Sequence, residues 1–310
     1  MASNSNASIS LPALALAAVP GRKRATLELA KEAERLEYAG LYCASFGDGV
    51  GLAHSLAHET ERIPLGTAIA NIYMRHVSDY AASIAMIQEI SGGRFCFGIG
   101  VSHAPMNSRF GIQGGKPLSD IREFVEGLRG AKRVGELPPI ALAGLRKKMV
   151  ALSAEIGEGV VFANVSRRHM PTSLSVIAEE TRASDDFFIG NMIPTCISDD
   201  MEAAAAINRR TLTMYVGLPN YRNYWKEAGY VEEMEAIEKA LEAGDRDRLP
   251  GLMTDKWLSD CTLYGPQSRV LEGLEEWYAT GLKTPILVPC SAAGNQMKAF
   301  KEMFAMFDRL

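Results

Sequence analysis

The sequence predicts an α/β protein of the (β/α)8 TIM-barrel class with a helical insertion before the last strand. Eight short apolar runs recur along its 310 residues, and helical patterns separate them. Such alternation marks βαβ units whose parallel strands are buried on both faces. An open doubly wound sheet would share that rhythm, but no G-x-G-x-x-G follows the first run to open a helix. The barrel is the architecture that remains.

In chain order, a Ser/Asn-rich start over 2–8 precedes the first strand, at 9–16. The remaining strands fall at 40–44, 63–70, 94–100, 139–143, 159–163, 187–194 and 284–289. Apolar residues at three- and four-residue steps place helices at 25–38, 78–90, 119–129, 147–156 and 173–182, with a shorter one at 51–59. Gly40, Gly92-Gly93, Gly157 to Gly159 and Gly281 stand where helices end before the next strand. Residues 199–264 break the rhythm with several helical stretches and no strand, so they read as the insertion; Gly265-Pro266 restarts the pattern. No linker or repeat divides the chain, and residues 1–310 are expected to form a single domain.

A hydrophobic content of 47% with 23% charged residues is that of a globular chain rather than a disordered one. A net charge of −4 supplies no basic footprint for nucleic acid. Five scattered cysteines without a C-x-x-C indicate neither a disulfide framework nor a cysteine zinc site. Residues 11–19 are apolar, but cations follow them and none precedes, the wrong order for a secretory signal. No run reaches the roughly 18 to 20 apolar residues of a membrane helix. The expected location is the cytoplasm, with a small-molecule substrate and no nucleic-acid or membrane partner.

In a barrel, function gathers at the C-terminal strand ends, and there the motifs become specific. Arg62-Ile63-Pro64-Leu65-Gly66-Thr67-Ala68-Ile69-Ala70-Asn71-Ile72-Tyr73-Met74-Arg75-His76 resembles the third-strand motif of the bacterial luciferase-like monooxygenase superfamily. Ser91-Gly92-Gly93-Arg94-Phe95 and Gly98-Ile99-Gly100-Val101-Ser102-His103-Ala104-Pro105 resemble the fourth strand and its loop in the deazaflavin-dependent branch. Pro139-Ile140-Ala141-Leu142-Ala143-Gly144, Gly157-Glu158-Gly159-Val160, Pro194-Thr195-Cys196-Ile197 and Gly281-Leu282-Lys283-Thr284-Pro285 fit the same frame, so the resemblance spans nearly the whole chain.

That resemblance implies an oxidoreductase with coenzyme F420, a deazaflavin, passing a hydride to a small organic substrate. FMN is the alternative, either in a monooxygenase using oxygen and a flavin reductase or in a non-catalytic flavin-binding relative. It also implies a homodimer, and a cis Ala68–Ile69 bond bulging against the cofactor's central ring. Cofactor contacts are expected from Ala68, Ile69, Asn71, Gly100, Ser102, Ala143, Gly144, Leu145 and Arg146. Asn71 and His103 are the catalytic candidates.

The chemistry of these residues supports the assignment unevenly. His103 titrates near working pH and suits proton transfer, although relatives often carry a carboxylate there; a loop histidine that shapes the pocket is the other reading. The Asn71 amide suits a polar cofactor edge. Gly144 to Lys148 offers backbone N–H groups and three cations to a phosphate at a helix start, where relatives commonly have Gly-Pro in place of Arg146-Lys147. Ser45, Phe46 and Asp48 follow the second strand and are expected to shape the substrate pocket; with Tyr42, Ser45 departs from a Trp and Glu common in relatives. Arg75 and His76 read as structural. His54 and His58 are four apart on a helix but lack an H-E-x-x-H motif, and no metal is expected.

Overall fold

The computed structural model describes residues 11–308. Its parallel strands are β1 Ala13–Leu16, β2 Leu41–Ala44, β3 Leu65–Ala68, β4 Ala70–Asn71, β5 Phe95–Gly100, β6 Ile140–Ala143, β7 Gly159–Ala163, β8 Phe188–Ile197, β9 Leu263–Gly265 and β10 Thr284–Cys290. The sheet runs β1-β2-β3-β5-β6-β7-β8 and closes through β10, which pairs with β8 from Thr284↔Gly190 to Cys290↔Cys196 and with β1 at Ala13↔Ile286 and Leu14↔Leu287. Since β3 and β4 share one position and β9 pairs with β8 alone, eight positions complete the barrel. Residues 9 and 10 of the expected first strand lie outside the described residues.

Two-residue alternation sorts the side chains. Ala13, Ala15, Tyr42, Ala68, Ala141, Val161 and Ile286 cluster inside, with Phe188, Met192 and Val288 against them; Leu14, Leu16, Leu41, Leu65, Phe97, Leu142 and Phe162 belong to the larger core beneath the helices. The interior is filled by two rings, Tyr42 and Phe188, with centroids 5.2 Å apart. Alanine lines much of the rest because those rings take the space. A Cβ on Gly66 would lie 2.6 Å from the Tyr42 ring.

Three expectations are corrected. The strand expected over 63–70 is interrupted at Ile69, leaving β3 and β4, both paired with β5. The helix expected over 173–182 is two short ones, Met170–Leu174 and Glu179–Ala183. Between them Ile177 turns into the core at 2% exposure, its N–H donating to Leu174 O while the Arg182 guanidinium donates to Ile177 O. The apolar periodicity is real, but the backbone breaks within it.

The third correction concerns residues 199–264, which contain a strand after all. They hold the helices Met201–Val216, Pro219–Glu227, Val231–Glu242, Leu249–Leu252 and Asp255–Cys261. However, β8 runs on to Ile197, past its last pairing with β7 at Ala163↔Met192, and this leaves an open edge. Thr195, Cys196 and Ile197 pair there with Leu263, Tyr264 and Gly265. Helix Gln267–Tyr278 leads back to β10, and Gln296–Phe307, not foreseen from the sequence, buries Phe300, Met303, Phe304, Met306 and Phe307. No described helix is long and apolar enough to cross a membrane.

Candidate active site

The residues singled out in the sequence converge on the C-terminal strand ends, as barrel topology requires. The Ala68–Ile69 peptide is cis, as the resemblance implies. It can lie against β5 because β5 is bare at that point. A Cβ on Gly98 would sit 1.9 Å from the Thr67 carbonyl oxygen, and one on Gly100 would sit 2.8 Å from Ala143 Cβ and 3.1 Å from Ile69 Cδ1. Thr67 Oγ1 donates to Gly98 O at 2.7 Å and pins the bulge from the other side.

Asn71 ends β4 and is 9% exposed. Its Nδ2 donates to Asn107 Oδ1 at 2.9 Å, its Oδ1 accepts the Tyr73 N–H at 3.2 Å, and its carbonyl accepts the Tyr80 hydroxyl at 2.7 Å. Asn107 in turn donates to Val101 O at 2.9 Å. The amide thus ties the loop after β4 to the loop after β5, and one Nδ2 hydrogen remains for a ligand.

The chain leaves β5 through Ser102, whose φ of 56° is left-handed and uncommon outside glycine. His103 follows, immediately before the helix Ala104–Arg109. Its ring meets two tyrosines of the 199–264 segment edge to face, Tyr221 at 5.6 Å and Tyr215 at 6.2 Å between centroids. Burial lowers the His103 pKa. The tyrosines adjoin each other at 5.1 Å, and Tyr221 rests on Trp225, which packs on Trp257. Burial raises both phenols, and the Asn164 side chain beside the two hydroxyls offsets part of that. Asn164, left-handed at φ 55° just past β7, is buried and its Nδ2 completes no hydrogen bond, while its carbonyl accepts the Trp225 indole N–H at 3.2 Å.

The loop after β6 differs from the open basic cradle expected. The Gly144 N–H donates to Val161 O at 2.9 Å and is spent in the sheet. Arg146 is ion-paired with Glu227: its Nε donates to Glu227 Oε1 at 2.9 Å and its terminal nitrogen meets the same oxygen. Lys147 and Lys148 are exposed and make no ion pair among the described residues. The helix Lys147–Ile156 begins with no side-chain cap and no acidic residue in its first turn. His169 stands nearby; burial lowers its pKa, Glu227 raises it and Lys147 lowers it.

After β2, Ser45 is exposed and Phe46 is 57% exposed. Asp48 accepts the Gly51 N–H at 2.9 Å, capping helix Gly49–Glu59, and pairs with Arg75 at 2.7 Å. Its carboxylate is engaged structurally, and so are Arg75 and His76, whose Nδ1 accepts the Ser78 N–H at the start of helix Val77–Ile90. A cavity of about 210 Å³ bounded by Ala18, Lys23, Leu27, Asp48 and Ser55 lies at this rim. His54 and His58 contact each other at 5.0 Å, and no cluster of three metal-ligating side chains occurs among the described residues.

Sequence reading missed Asn107, Asn164, Tyr215, Tyr221 and Glu227. The aromatic run Tyr215, Tyr221, Tyr224, Trp225 was the available signal, since two successive polar helices carrying that many rings have something to cover.

A family model of luciferase-like monooxygenases matches residues 7–284. By sequence the chain is similar to a putative coenzyme F420-dependent oxidoreductase of Mycobacterium tuberculosis, at 23% identity over 75% of this chain and 81% of the relative. It is also similar to 5,10-methylenetetrahydromethanopterin reductase of Archaeoglobus fulgidus, at 27% identity over 73% of this chain and 77% of the relative. Among solved structures, the coenzyme F420-dependent tetrahydromethanopterin reductase of Methanopyrus kandleri superposes with a TM-score of 0.75 at 20% identity, covering 95% of this chain and 97% of that one. The oxygenating constituent of 3,6-diketocamphane monooxygenase of Pseudomonas putida, in complex with FMN, gives 0.63 at 12% identity, with 96% of each chain covered.

Proposed function

Because the chain belongs to the luciferase-like monooxygenase family, we propose that it is an oxidoreductase that holds coenzyme F420 across the barrel mouth and serves a small organic substrate. The observation that carries this reading is the Ala68–Ile69 bulge between β3 and β4, seated on bare Gly98 and Gly100. Packed beside Ala143, it offers a flat apolar support of the kind a planar ring requires. When bound, the deazaflavin supplies a hydride.

In this reading Ala68, Ile69, Gly100 and Ala143 support the ring, and Asn71 and Ser102 meet its polar edges. Leu145, Arg146 and the two lysines after it face the anionic tail. His103 holds or accepts a proton at a ring nitrogen as charge develops on the substrate. Tyr215 and Tyr221 exclude water above it, while Ser45 and Phe46 line the substrate's approach. Residues 1–310 act as one domain, with 199–264 inserted to cover the mouth, and the protein works as a cytoplasmic homodimer.

A second reading has reduced FMN and oxygen as reactants and a flavin reductase as partner. The FMN complex among the structures of the same fold supports it. Titrating the purified protein separately with F420 and FMN, following cofactor fluorescence, decides between them. Saturable quenching by F420 at low micromolar concentration is expected, with weaker or no quenching by FMN. Preference for FMN would overturn the F420 assignment.

A further inference from the structure

His103 makes no side-chain capping hydrogen bond to the helix it precedes, and neither ring nitrogen is among the buried unpartnered atoms. Two aromatic rings meet the imidazole: Tyr221 at 5.6 Å and 66°, and Tyr215 at 6.2 Å and 87°, both in the edge-to-face range that rings favour. The tyrosines are themselves backed. Tyr221 is 5% exposed and lies on Trp225, which is fully buried against Trp257. The Trp225 indole is bonded to the backbone of Asn164 at the end of β7. A chain of rings therefore runs from the barrel through the 199–264 segment to the imidazole.

We propose that Tyr215 and Tyr221 are positioning residues that hold the His103 imidazole by its edges in one orientation over the strand ends, leaving its nitrogens free to exchange a proton with bound substrate. The inference rests on reading His103 as the proton-transfer group. Orientation matters there because a proton donor contributes only when it lies within hydrogen-bond reach of the reacting atom. Since the tyrosines come from the segment between β8 and β9, that segment completes the site as well as covering it. The titratable groups these helices bring against the ring are the two phenols, which burial keeps neutral.

The test labels the protein alone with diethyl pyrocarbonate, which acylates the unprotonated imidazole, and reads His103 by peptide mass spectrometry as a function of pH. In the wild type the midpoint of the rate profile should lie below 6.5, since burial lowers this pKa. Tyr215→Leu and Tyr221→Leu admit water to the ring, so the midpoint should rise toward 6.5. Tyr221→Phe retains the ring and should behave as wild type. Should Tyr221→Leu fail to fold, the less deeply buried Tyr215 and the Phe variant still decide the matter. An unchanged midpoint in Tyr215→Leu, or a Tyr221→Phe midpoint shifted like that of a leucine variant, overturns the proposal. Neither result depends on cofactor, so cofactor titration can fail without affecting this test.

Discussion

Desolvation disfavours the charged imidazole, so the folded-state pKa of His103 lies below the value the residue has in the unfolded chain. A group depressed in this way stays neutral in the fold while the unfolded chain takes up its proton as pH falls. Its stabilising effect is therefore complete above about pH 6.5 and is lost as pH falls through the folded pKa. His169 is shifted the same way. Denaturant midpoints should accordingly fall between pH 7.5 and 5.5, and His103→Leu should fall less; an identical pH dependence in the variant would contradict the burial argument. If His103 is also the proton-transfer group, His103→Ala should lose about a hundredfold in turnover without losing F420 quenching.

Strands and loops raise different questions. Gly98 is required because a Cβ there would meet backbone, the Thr67 carbonyl oxygen at 1.9 Å, whereas the one on Gly100 would meet the Ala143 Cβ, fixed to its strand, at 2.8 Å and the Ile69 side chain at 3.1 Å, a milder overlap. Gly98→Ala should cost about 2–4 kcal/mol, in the range of severe backbone or packing conflict, and Gly100→Ala clearly less; equal thermal shifts would refute that ranking. At the loop after β6, Glu227 neutralises the arginine best placed to meet an anion. Both partners are more than a third exposed, so the pair adds little stability. Glu227→Gln should leave the melting temperature nearly unchanged and strengthen binding of inorganic phosphate several-fold at low salt, an effect that screening diminishes. Unchanged phosphate affinity would remove Glu227 as a competitor. These elements also show what was legible. The bulge was legible only through the family resemblance of the 62–76 motif, and the strand positions because each is a short local apolar run; that Gly98 must be bare needed the fold, which sets it against Thr67. Tyr215 and Tyr221 offered rings to cover without showing that His103 lies beneath them, and Glu227 gave no sign of Arg146, since these partners are distant in sequence; β8 runs to Ile197 because residues 284–290 and 263–265 both return to pair with it.

At the scale of the whole molecule, a mouth covered as proposed requires that residues 199–264 behave as part of the barrel. The link is Asp260, 2% exposed, which accepts from the Ser166 hydroxyl, from the Arg168 N–H at 3.0 Å and from the Tyr230 hydroxyl at 2.8 Å. Such a carboxylate is tolerable in the interior because its oxygens are so fully bonded. It joins the chain after β7 to two helices of the segment, and the Arg167 N–H donates to its backbone carbonyl at 2.9 Å. Asp260→Ala would leave buried donors without partners and should cost about 2–4 kcal/mol. Two probes then test whether barrel and segment unfold together. With Trp277→Phe as the common background, because that residue lies outside the segment, Trp225 and Trp257 report on the segment, and far-ultraviolet circular dichroism reports on the whole. One shared transition is expected in the wild type, shifted intact to lower denaturant in Asp260→Ala. Separate wild-type midpoints, with fluorescence changing first, would show the segment to be an independently unfolding unit and would end the single-domain reading.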